Sequence, residues 1–257
     1  MAGQRWSREE VLAAFNLYLT TPFGRLHARN PEIITLAAAL GRTPGSVAMK
    51  CCHLASLDPA LQKRGIKGLR GISAVDREVF NEFQTDPESI AFDSEVAASQ
   101  LVDRELKMVP TIEWQNIDGK DRMAVVKTRV NQYLFRAMIL SGYRESCAVC
   151  ELRCPELLVA AHIVGWAIDA GCRMNPRNGL CLCAIHDRAF DKDLLDVEDD
   201  YTIKVTKKFR VPRSDKAASV MLYSFDGKKL MLPERWLPDP DLLRRRRELM
   251  TNATLTF

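Results

Sequence analysis

The stretch NPRNGLCLCAIHDRAFD, Asn175 to Asp191, crowds two cysteines, a histidine and two aspartates into one short segment. Thiolates and imidazoles suit zinc, whereas carboxylates suit hard divalent cations such as Mg²⁺ or Mn²⁺. Asp187 and Asp191 stand at i and i+4, which places both carboxylates on one helix face. His186 precedes Asp187 directly, and adjacent helical residues point ~100° apart, so the two cannot serve one ion. Upstream, Cys147-Ala148-Val149-Cys150 repeats the spacing of Cys183-Ala184-Ile185-His186. Two short knuckles of this kind can clasp a tetrahedral zinc from both sides. The expected zinc set is therefore Cys147, Cys150, Cys183 and His186, with Cys181 as the fourth ligand if His186 is engaged elsewhere. In the rival division, His186 joins the catalytic metal.

The elements around these residues must position them. LLVAAHIVGWAID carries an apolar, β-branched run ending at His162, followed by a loop through Gly171 and Asn175 to Gly179, then the helix with His186, Asp187 and Asp191. Such a ββα unit is too small to hold itself, so a structural zinc closing its ends has a physical purpose. VVKTRVNQYLFRAMIL has helical periodicity at Val126, Val130, Tyr133, Leu134 and Ala137, with Arg129, Gln132 and Arg136 together on a cationic face. The tail adds YTIKVTKKFRVPRSDK and LLRRRRELM as basic segments that could meet phosphate, although Arg244 to Arg247 spread around a helix and at most two can face one ligand. Simple solubility is the alternative for them.

Ahead of this module the pattern is helical. Ser7 with Glu9 and Glu10 starts a helix with Val11, Leu12, Phe15 and Leu19 on one face. Asn30-Pro31 opens a second that Gly41 closes, and Thr43-Pro44 caps a third, at helix-turn-helix spacing. SAVDREVFNEF is a further helix, and the Gly-rich basic loop Gln62 to Gly71 could grip phosphate. Cys51, Cys52, His27 and His53 read as structural. From about Pro87 to Gly119 the periodicity loosens, as expected of a connection between domains.

Composition sets bounds. The 257 residues are 47% hydrophobic and 27% charged, with eight cysteines and a net charge of +4, ordinary for a soluble globular chain. No run approaches the ~18 apolar residues of a membrane span, and the charged start MAGQRWSREE lacks an apolar leader. A cytoplasmic location follows as an expectation, and reduced cysteines there favour metal over disulfides.

AHIVGW, NPRNGLCLC and HDRAFD together resemble the HNH endonucleases of the ββα-metal fold. The whole chain is similar to HNH restriction endonucleases with a helical domain in front, and its specific part is about Cys147 to Asp196. The resemblance implies that His162 is the general base, that Asn178 orients it or helps position the metal, and that the last helix supplies metal ligands. Ala161 departs from the pattern, because many relatives place an Asp or His ligand there. Asp187, rather than His186, aligns with the last motif histidine.

These readings combine into an α+β chain: a helical DNA-recognition domain over residues 1–92, a linker over 93–122 and a zinc-stapled ββα nuclease domain over 123–257. The expected function is metal-dependent hydrolysis of double-stranded DNA. Arg129, Gln132, Arg136 and Arg188 would hold the backbone, Mg²⁺ or Mn²⁺ would be catalytic and Zn²⁺ structural. A restriction or defence role, with modified bases as one target class, rests on the resemblance alone. Cutting both strands implies a homodimer or sequential nicks. The competing class is a non-catalytic DNA-binding or regulatory protein with a decayed metal site.

Overall fold

A computed structural model describes residues 5–63, 71–110 and 119–254. The chain divides into two compact units, Met1–Ser141 and Gly142–Phe257.

Unit 1 is helical: α1 (Arg8–Thr20), α2 (Pro31–Ala39), α3 (Pro44–Ala55), α4 (Pro59–Lys63), α5 (Ala74–Thr85), α6 (Pro87–Leu101) and α7 (Gly119–Gly142), whose last residue opens unit 2. Capping chemistry sets the starts. Ser7 and Glu10 form a reciprocal capping box on α1, Asn30 and Thr43 cap α2 and α3, and Gly41 leaves α2 at a φ of +61°. α1 is buried along most of its length, against α6, α3 and α5. Phe15 meets the rings of Phe80 and Phe83 edge-on, at 6.3 and 5.1 Å. The only lysine of α3, Lys50, turns inward onto the buried Asp76 at 2.6 Å, so α3 offers no exposed cation to a phosphate.

Two expectations change here. Residues 93–122 were expected as a linker, yet α6 continues to Leu101 and packs on α1. Its small residues Ala91, Ser94, Ala97 and Ala98 allow close approach and carry little hydrophobic signal. Its charge is also misleading, because Glu95 is fully buried and is held by Arg104, Asn16 and the Lys107 amide. The boundary between units lies at Ser141/Gly142, not near residue 123. The apolar stripe of α7 at Val130, Leu134 and Met138 is buried, and Asn131 donates to the Glu88 carbonyl at the start of α6. The loop Gln62 to Gly71 falls mostly outside the described residues.

Unit 2 holds β1 (Leu158–His162), β2 (Gly179–Cys183), α8 (Ala184–Asp191), β3 (Leu195–Val197), β4 (Ile203–Val205), α9 (Lys216–Met221) and α10 (Pro240–Thr254). β1 and β2 pair antiparallel from Leu158↔Cys183 to His162↔Gly179, and α8 follows β2 directly, which is the expected ββα order. A second hairpin pairs β3 with β4. The α+β class holds, with helices in unit 1 and two small sheets in unit 2. No helix among the described residues is long and apolar enough to cross a membrane.

Candidate functional site

β2 ends at Cys183 and α8 begins at the next residue, so one turn of helix brings His186 back over Cys183. The knuckle Cys147–Cys150 is pinned to the same strand by the Ala148 amide, which donates to the Cys181 carbonyl at 2.7 Å. His186 Nδ1 then lies 3.1 Å from Cys183 Sγ and 3.6 Å from Cys147 Sγ, and Cys150 Sγ lies 3.9 Å from Cys183 Sγ. The four ligand atoms fall within 4.8 Å of one another. Ligands at ~2.0–2.3 Å around a tetrahedral zinc are roughly 3.3–3.8 Å apart, so the set could hold that ion. The tautomer agrees. His186 Nε2 donates to the Met221 carbonyl at 2.8 Å, which leaves the neutral ring's lone pair on Nδ1, toward the sulfurs. Hydrogen bonding between Cys147 and Cys183 lowers the Cys183 pKa and raises that of Cys147. Cys181 is buried on β2 outside this cluster, so the alternative ligand is not brought in.

The opposite side of α8 faces a cavity of about 250 Å³, lined by Ala161 and His162 from the end of β1, Asp187 and Asp191 from α8, and Arg246 from α10, among others. His186 is absent from this lining; the helix divides the two aspartates from the histidine as their ~100° steps require. Burial and the nearby Asp191 raise the Asp187 pKa. Asp191 is exposed, with Arg188 at 3.5 Å.

His162 is half-buried. Its Nε2 donates to the Arg173 carbonyl at 3.0 Å, so the neutral ring carries its lone pair on Nδ1. Trp166 stands edge-on to the imidazole at 5.5 Å and is itself fixed by Arg173, whose Nε donates to the Trp166 carbonyl. Burial lowers the His162 pKa below the ordinary imidazole value, against the opposing effect of the Arg173 carbonyl.

Asn178 does not line the cavity. It is fully buried, accepts from the Val164 amide at 2.8 Å, and donates to the carbonyls of Val164 and Cys172 at 3.0 and 3.1 Å. It thereby ties the loop after β1 to Cys172, the residue before Arg173, whose carbonyl holds His162. Asn178→Ala would leave these three backbone groups unpaired. The expected result is a loss of about 2–4 kcal/mol, seen as a lower Tm. A change below ~0.5 kcal/mol would deny the loop this dependence.

The residues expected to contact DNA fall in both units. Arg129, Gln132 and Arg136 are half-buried on α7 in unit 1, where Arg129 bonds Gln132 at 3.2 Å, while Arg188 is exposed on α8 in unit 2. The arginine run is mostly spoken for: Arg244 pairs with Asp199 and Asp241, Arg245 with Asp169, and Arg247 with Asp199. The Arg173 and Met221 carbonyls escaped sequence reasoning, because a backbone acceptor leaves no residue-type signal.

Residues 147–198 match the family model described as HNH endonuclease. No curated protein matches the chain. The matched segment begins at the first cysteine of the three-cysteine, one-histidine cluster and takes in β1, β2, α8 and β3.

Proposed function

We propose that the chain is a divalent-metal-dependent endonuclease that hydrolyses phosphodiester bonds of double-stranded DNA. The observation that carries this reading is the shared cavity of His162, Asp187 and Asp191 inside the segment matched to HNH endonucleases. The donor set fits a hard cation: two carboxylates at i and i+4, one of them half-buried, with room for water and phosphate oxygens. When bound by Asp187 and Asp191, Mg²⁺ or Mn²⁺ supplies Lewis-acid stabilisation of charge on the phosphate and the leaving oxygen.

The chain's own residues do the rest. His162 Nδ1 accepts a proton from water as its oxygen attacks phosphorus, the bond from phosphorus to the 3′ oxygen breaks with its electron pair on that oxygen, which takes a proton from solvent, and Nε2–H stays on the Arg173 carbonyl so that the imidazolium keeps its orientation. Asn178 holds the loop that presents that carbonyl. The restriction or defence role, and any preference for modified bases, extend this reading through the family likeness alone.

The test is incubation of supercoiled plasmid with the full chain and Mg²⁺ or Mn²⁺. Nicked or linear product that vanishes with EDTA is expected, and intact plasmid under all conditions would favour the non-catalytic DNA-binding class that Ala161 suggests. Asp187→Asn should keep the fold, because it removes like-charge repulsion from Asp191. It should raise the Mg²⁺ concentration for half-maximal cleavage ~10-fold or more, and Asp191→Asn should do the same. Unchanged Mg²⁺ titrations for both variants would remove these aspartates from the metal site.

A further inference from the structure

Arg246 stands apart from its neighbours in the arginine run. Arg244, Arg245 and Arg247 each reach a carboxylate and so fasten α10 to the rest of unit 2. Arg246 makes no ion pair among the described residues, although it is buried. Its Nη2 donates to the Phe190 carbonyl near the end of α8, and its guanidinium lies over the Phe190 ring at 3.8 Å. Its Nε is enclosed without a partner. Nη1 remains, and the cavity that Arg246 lines is the one shared by His162, Asp187 and Asp191.

We propose that Arg246 is a further catalytic residue, whose guanidinium binds a non-bridging oxygen of the scissile phosphodiester within this cavity. The inference rests on the nuclease reading above. A buried guanidinium cannot shed its charge, and Asp196, Asp193 and Asp191 act on it through space without an ion pair, so its donor fork stays available to a bound anion. A phosphodiester supplies one negative charge and two acceptor oxygens, which suit a planar donor fork. Placed beside His162, the contact would hold phosphorus in line for the attacking water and stabilise charge as it develops on the phosphate. Arg246 lies on α10, outside the matched residues 147–198, so the closing helix adds this group to the site.

The test compares wild type, Arg246→Ala and Arg246→Lys in plasmid cleavage, with Tm and zinc content measured for each. Arg246→Ala should lose ~100-fold in kcat, with a smaller change in KM for DNA. Guanidinium ion at millimolar concentration should restore ~10-fold or more of that loss, which a purely structural role would not allow. Arg246→Lys, which keeps charge without the fork, should fall between the two. The inference is overturned by Arg246→Ala cleaving within ~3-fold of wild type, or by a loss that guanidinium does not recover. If wild type is itself inert while folded and zinc-loaded, the nuclease reading fails and takes this inference with it.

Discussion

His162→Ala should lower cleavage ~100-fold or more while zinc content, DNA affinity and Tm stay close to wild type. The ring is half-buried at the end of β1 and donates to the Arg173 carbonyl, so its removal costs on the order of 1 kcal/mol. Stability and activity should therefore separate. The pH dependence gives a second readout. Burial lowers the His162 pKa, so the active neutral ring persists to more acidic pH than an unperturbed histidine near ~6.5 would allow, and the rate should fall only as pH drops through that lowered value. A variant with near wild-type turnover would exclude His162 as the base.

Cys150→Ser should have the larger effect on the fold. The knuckle is held to β2 and α8 through Cys183 and His186, and the central sheet has only two strands of five residues each. Sheets that small do not persist on their own, so the ion would stabilise the unit by closing its ends. Elemental analysis of wild type should give about one zinc per chain. Cys150→Ser should lose that metal and open residues 142–257 to protease. His186→Ala should behave the same way, since it removes a ligand and the bond to Met221. A His186→Ala chain that keeps zinc, stays folded and is catalytically dead would instead move His186 to the catalytic metal and reverse the division of α8.

The candidate site was legible wherever it is written in local spacing. The two knuckles, the aspartates at i and i+4, the apolar run ending at His162 and the capping residues of α1, α2 and α3 are short-range patterns, because ligand geometry and helical pitch act over a few residues. The same pitch separates His186 from Asp187 without any tertiary contact. What only the folded chain decided depends on partners distant in sequence. α6 looked like a connection because its signal is small side chains and a buried Glu95, and both make sense only against α1 and Arg104. α7 looked like part of the nuclease because its stripe says that it must be buried, not against what. The arginine run looked like one basic surface, yet three members are neutralised by Asp169 and Asp199, while Arg246 alone lines the cavity with His162. Charge is a property of the residue, but whether it is neutralised or left for a substrate depends on which distant group the fold brings within a few ångströms.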